Sequence, residues 1–402
     1  MSTSNNNKIF ILCCMAFLIY ATQFFNYVNW NPTIGGWVSY FVAGIFLFLF
    51  LLSKRKSSPS VFSHLIILLM TIPLLQTISK SYIYNESLYD ERHLFASLFT
   101  FLLFFVFRSR KIREKDIVLS ITIIGLVIFI IQVWQQLYPN YAVFGVYTSD
   151  TWERGKDIAE ERDNMYRFRL GTTFITLFCF YYYWDILQRK YSFLNLCMFI
   201  FFSISIYLYL TRQILFASIL TISFSFIFVK SKSKNKWRMI LAILFVNILL
   251  FSYYSSLFGA LIEKTVEESD ESNIRVIASV FFWNKIIENP IMFMIGHGHI
   301  NDMINWQIIY DIYHTDVGII GEWFLYGCLW VALYIYTLFL VLYKYSDAIP
   351  LYIKLFVFGT SINSIMIFPY RTMYEYYIWV MMLYITSLYV DKKRQARLMG
   401  QL

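Results

Sequence analysis

The sequence predicts an all-α polytopic membrane protein with about 12 transmembrane helices, and three observations predict it. The first is composition: of 402 residues, 58% are hydrophobic, 21% aromatic and only 15% charged. A soluble domain carries roughly 25% charged and 45–50% apolar residues, and one globule of this length could not hide so much apolar surface. The second is the recurrence of apolar runs long enough to cross about 30 Å of hydrocarbon. The third is that the charges between those runs are sorted by sign. Together they exclude a soluble enzyme, a disordered chain and a nucleic-acid binder.

In chain order the runs are 9–25, 37–52, 61–78, 94–107, 117–134, 170–187, 193–210, 214–229, 239–258, 317–343, 351–368 and 373–390. The first has only Lys8 as a basic flank and is followed by eleven more, so it reads as an uncleaved anchor rather than a signal peptide. The fourth is short and must tilt or extend. With the N-terminus cytoplasmic, the inner segments hold 22 of the 34 basic residues and 5 of the 25 acidic ones, a net of +17, which leaves −8 outside. Basic residues on short loops mark the cytoplasmic side, so both termini are expected there. The total of +9 therefore records orientation more than an anionic partner. Cys13, Cys14, Cys179, Cys197 and Cys328 lie in apolar stretches without a Cys-x-x-Cys pair and read as buried free thiols.

The whole chain, 1–402, reads as a single integral membrane domain with two long loops, 135–169 and 259–316, both on the outer face. Long loops in compact proteins are usually functional or disordered, and these are too aromatic to be simply disordered. In 135–169 the charges alternate in sign, the pattern of a solvated loop. Arg167 and Arg169 differ, standing two apart just before Gly171-Thr172-Thr173 opens the sixth run, where either a snorkelling or a functional role fits. Arg212, in Thr211-Arg212-Gln213, joins two runs with almost no loop between them. A guanidinium there calls for an anionic partner, such as Glu322, Glu375 or the phosphate of a lipid-linked substrate. Arg371, in Phe368-Pro369-Tyr370-Arg371, poses the same question less sharply.

Loop 259–316 opens on a polar acidic stretch. A surface helix is then predicted over 274–288, with Ser272 or Asn273 as cap and Ile274, Ile277, Phe281 and Val276, Val280, Trp283, Ile287 at helical spacing. Asn289-Pro290 ends it, and its apolar positions read as packing, on the membrane or as a cap on the bundle. After the proline come Gly296-His297-Gly298-His299 and, further on, His314-Thr315-Asp316-Val317-Gly318. His297, His299 and His314 with Asp302, Asp311 or Asp316 are the residue types of a zinc site, but their spacing matches no metal motif, so no metal is expected. A glycine-flanked His297 marks a tight turn or close backbone approach. His314, beside Asp316 and about two turns before Glu322, is a candidate general base near pH 7.

Taken in order, these residues resemble the bacterial O-antigen polymerases (Wzy-type) and the related O-antigen ligases. The resemblance rests on Arg169-Leu170-Gly171 at the entry to the sixth run and on Thr211-Arg212 between two closely joined runs. It also rests on Arg275 with Trp283, Asn289-Pro290 and Gly296-His297-Gly298, and on His314 leading through Gly318, Gly321 and Gly327 into the next run. It covers topology over nearly the whole chain and motifs over 167–327. Gln213, Thr315 and the spacing of the glycine after His314 depart from the pattern, and count against the ligase more than against the superfamily.

The resemblance implies a metal-independent, cofactor-free glycosyltransferase of GT-C-like fold in the bacterial cytoplasmic membrane, with its active site on the periplasmic or outer face. The expected reaction transfers a growing glycan, of O-antigen or capsule type, from undecaprenyl diphosphate onto a repeat unit on the same carrier. Arg212, Arg275, Arg169 and Arg371 are then the diphosphate-binding residues, because guanidinium forks bind phosphate bidentately. His314, Asp316 and Glu322 are the catalytic residues, and His297, His299 and Arg167 are glycan-binding or structural. The partners implied are lipid-linked oligosaccharide repeat units and the bilayer, with room for a chain-length regulator protein and no nucleic acid. Two alternatives stay open: a ligase-like glycan transferase, and a flippase or transporter of lipid-linked oligosaccharide. The scarcity of charge within the runs and the lack of a two-fold internal repeat count against transport.

Overall fold

A computed structural model describes residues 8, 10, 12, 14, 32–53, 60–85, 98–138, 160–162, 165–167, 173–209, 211–228, 274–298, 312–314, 317–364 and 373–399. These residues are almost entirely helical. In order they form α1 (Pro32–Leu52), α2 (Val61–Tyr84), a 3-10 turn (Phe99–Phe101) leading into α3 (Leu102–Arg110), and α4 (Glu114–Leu137). A short ribbon of β1 (Glu160–Arg162) and β2 (Met165–Arg167) follows, then α5 (Thr173–Arg189), α6 (Phe193–Leu208) and α7 (Arg212–Ser223) with a 3-10 turn (Ser225–Phe228). The rest comprises α8 (Ile274–Glu288), α9 (Pro290–Ile295), α10 (Gly318–Leu338) continued by a π turn (Phe339–Lys344), α11 (Leu351–Asn363) and α12 (Met373–Leu398).

Helix therefore occupies ten of the twelve apolar runs; 239–258, and nearly all of 9–25, lie outside the described residues. Among the described residues, three helices are long and apolar enough to cross a membrane: Val61–Ile83, Glu114–Trp134 and Gly318–Lys344. The ribbon lies within the loop expected at 135–169. It pairs Glu160 with Arg167 and Arg162 with Met165 in antiparallel register, so facing positions 160 and 167 carry opposite charge, a combination that two-stranded ribbons favour.

The described chain divides into two compact units. The first comprises Met1–Ser63, His93–Thr211 and Thr372–Leu402. Its centre is α12, where every residue from Tyr376 to Ile385 is at most 1% exposed; a helix apolar on all sides is stable only when enclosed. α4 begins where Glu114 and Asp116 place negative charge at a helix N-terminus, and Arg113 grips Asp116 through Nε and Nη2 at 2.8 and 3.0 Å. α4, α5 and α6 meet at Gly125, where a Cβ would fall 2.8 Å from the Phe202 ring and 3.1 Å from Cys179 Sγ. At one end of this unit, Arg108 pairs with Asp391 at 2.8 Å, the Tyr384 hydroxyl donates to the Ile112 carbonyl at 2.7 Å, and the Tyr389 hydroxyl donates to Glu114 at 2.7 Å. Asp185 pairs with Arg189 on the last turn of α5.

The second unit comprises His64–Arg92 and Arg212–Arg371. Its spine is α10, which α8 and α9 both pack against. Asn289 ends α8, as the sequence predicts, and starts the next helix. Its Oδ1 accepts from the Ile291 and Met292 amides at 2.9 and 3.4 Å, capping α9, with Pro290 in the first-turn position where a missing N–H is harmless. The cysteines described, Cys14, Cys179, Cys197 and Cys328, are free; Cys179 is buried and the other three are half-buried.

Candidate functional site

Within the second unit, three helix ends converge. Gln213, second residue of α7, donates from Nε2 to the Asn363 carbonyl at 3.2 Å, at the end of α11. The next carbonyl, Ser364, accepts from the Ile319 amide of α10 at 3.0 Å. The start of α7, with Arg212 as its first residue, is thus tied through the end of α11 to the start of α10, where His314 lies. At the other end of α7, Lys354 of α11 donates to the Phe228 carbonyl at 3.1 Å.

His314 is half-buried and forms a single tight turn, with its carbonyl accepting from the Val317 amide at 3.4 Å. That carbonyl lies against Gly321: a Cβ there would sit 1.9 Å from it. Only glycine lets the turn close onto α10 so tightly, and the contact brings His314 beside the turn of α10 that carries Glu322, itself 4% exposed. A histidine just before α10 and a buried carboxylate in its second turn therefore lie a few residues from Ile319, which is tied to the end of α11.

His297 has a different setting. Residues 296–298 form an extended strap whose His297 and Gly298 amides donate to the Phe324 and Leu325 carbonyls at 2.7 and 2.9 Å. In an unbroken helix those carbonyls would pair with amides four residues on. Here α10 is interrupted at Gly327, whose φ of 78° and ψ of 176° are not helical. The fit requires glycine on both sides. A Cβ on Gly296 would lie 2.2 Å from the Leu325 oxygen, and one on Gly327 would lie 2.2 Å from the Met294 oxygen. The His297 ring stacks on Phe324 at 4.6 Å, nearly parallel, with Nε2 donating to the Lys285 carbonyl at 3.2 Å. An imidazole held on three sides is a structural clamp.

The strap also meets two residues that the sequence reading overlooked. A Cβ on Gly298 would lie 2.1 Å from Gln76 Nε2 and 2.9 Å from Lys80 Cδ. Both side chains are buried, at 1% and 3% exposure. The Gln76 amide makes no hydrogen bond among the described residues. The signal was present in the sequence: α2 continues past position 78 to Tyr84, so Gln76 and Lys80, four apart, lie on one face of one helix.

Arg275 lies exposed in the first turn of α8. The buried positions of that helix are Ala278, Phe282 and Ile286, while Ile274, Ile277, Val280, Trp283 and Ile287 face outward. Trp283 still meets the Trp323 ring edge-on at 5.6 Å, and the face buried against the protein is the neighbouring one, Ala278, Phe282 and Ile286. Arg212 is placed by its backbone only, and Arg167 by its place in β2 of the first unit. Arg169, Arg371, His299 and Asp316 lie outside the described residues. Among the described residues, no three His, Cys, Asp or Glu side chains gather in a way that could hold a metal ion. No known protein family, curated protein or solved structure matches this chain.

Proposed function

We propose that the protein is a polysaccharide polymerase of the bacterial cytoplasmic membrane that transfers a growing glycan from a polyprenyl diphosphate carrier onto a lipid-linked repeat unit. The observation that carries this reading is the convergence, in one unit, of the helix end bearing Arg212 with the His314 turn and the buried Glu322. These are the parts that such a transfer needs. The acceptor hydroxyl oxygen attacks the anomeric carbon and gives its proton to His314. The bond from that carbon to the diphosphate oxygen breaks, and the electron pair leaves with the carrier diphosphate. The guanidinium groups of Arg212 and Arg275 are assigned to neutralise the charge that develops there, a contribution on the order of 3–4 kcal/mol per key donor. Glu322 charges or orients the imidazole.

In this reading the chain crosses the membrane about twelve times with both termini inside. Contacts in the first unit agree with placing Arg108, Asp391 and Glu114 on one side: Arg108 pairs with Asp391, and Glu114 accepts from Tyr389, two residues before Asp391. In cells, His314→Ala is expected to abolish polymer while single-repeat glycan still reaches the surface and the protein stays in the membrane. Normal chain lengths in that variant would overturn the base assignment. Arg212→Lys should fail likewise, since a point charge does not replace a bidentate fork; near-wild-type polymer would reduce Arg212 to a structural role.

A further inference from the structure

The outward apolar face of α8 continues along α9 as Ile287, Ile291 and Met294, which are 54%, 60% and 44% exposed. Such a row at a water-facing surface would be costly. Its depth along α10 indicates what it faces. α8 and α9 reach α10 at Trp323 and Phe324, through the Phe282–Phe324 rings at 5.0 Å, the Phe293–Trp323 rings at 5.1 Å and the Trp323 Nε1 bond to the Phe293 carbonyl at 3.1 Å. The strap reaches Gly327, nine residues beyond Gly318. At 1.5 Å per residue that is roughly 13 Å along the helix, well inside the roughly 30 Å of hydrocarbon that a spanning helix crosses.

The two halves of α10 also differ in exposure. From Gly321 to Gly327 all but the half-buried Trp323 are buried, largely beneath α8, α9 and the strap. Beyond the break, Leu329, Ile335 and Phe339 turn outward. Met294 meets this second half directly, with the Cys328 thiol 3.3 Å from its sulfur. The row on α8–α9 therefore continues the outward apolar face of α10. It covers the part of α10 that lipid would otherwise cover, and presents its own side chains in exchange. The irregular strap backbone is tolerable at that depth because protein encloses it and the α10 carbonyls accept its amides.

We propose that α8, α9 and the 296–298 strap form a re-entrant element, dipping into the outer leaflet with Ile287, Ile291 and Met294 against lipid acyl chains. The proposal rests on α10 crossing the membrane and is independent of the catalytic reading. It is tested on the full-length protein in intact membranes, with single cysteines probed by a membrane-impermeant maleimide. Glu288→Cys, at the polar joint between α8 and α9, should label. Ile291→Cys and Met294→Cys should lose labelling and regain it after denaturation in SDS, and Leu329→Cys on α10 should behave as they do. A spin label at Ile291→Cys should collide with oxygen in preference to a water-soluble nickel chelate. Labelling at 291 and 294 with Leu329→Cys still protected would overturn the re-entrant element alone; labelling at all three would also overturn the span beneath it. Ready disulfide cross-linking of Ile291→Cys between two chains would overturn the lipid assignment in favour of a second copy of the protein.

Discussion

Gly321, Gly296 and Gly327 carry no side chain because backbone oxygens occupy the space where one would begin. Alanine at Gly296 or Gly327 must also adopt a positive φ, of 81° or 78°, which costs about 1–3 kcal/mol before the clash is counted. Both variants should lower the unfolding temperature of the detergent-solubilised protein, whereas Gly44→Ala, with nothing within 4 Å of the added methyl, should not. The glycines around His297 were readable as a sign of close backbone approach. That the imidazole clamps Lys285 to Phe324 was not, because the partners are 12 and 27 residues away and carry no motif.

For individual helices, the sequence pattern located α8 to the residue but left open which medium meets each face. Apolar side chains at helical spacing indicate a stripe, not which medium meets it; when lipid is available, the stripe need not turn inward. The break in α10 was equally hidden. Gly327 sits in an apolar run whose periodicity does not change there, and only the returning strap makes an interruption stable. A small residue builds the helix contact at Gly125, where α4, α5 and α6 approach. Gly125→Leu should cost about 1–3 kcal/mol through overpacking against Phe202 and Cys179. Reduced yield of folded protein, with Gly44→Leu as the tolerated control, is the measurement.

Over the whole chain, the segregation of charge makes the broadest claim. With 22 basic residues on the inner segments, a C-terminal reporter is expected to be active only in the cytoplasm. A protease site inserted in 135–169 should be cut only from outside; cleavage from the opposite side would invert the orientation. Apolar runs and loop charge lead to an expected topology because bilayer thickness and charge asymmetry act on every span alike. The division into two units was not readable, since it depends on which helices choose one another. α2 and the 212–371 segment, far apart in sequence, belong to one unit.

The gap in α10 has a consequence for biosynthesis. Two of its carbonyls, Phe324 and Leu325, rely on amides from residues 297 and 298, which leave the ribosome first. The completing piece is therefore already waiting when the helix that needs it is made. A newly inserted α10 need not linger in lipid with open polar groups, provided the strap has not been drawn away from the membrane. His297→Pro, which removes one of the two donated protons, should then show its defect during insertion, as rapid turnover of newly made chains rather than as slow decay of the mature protein.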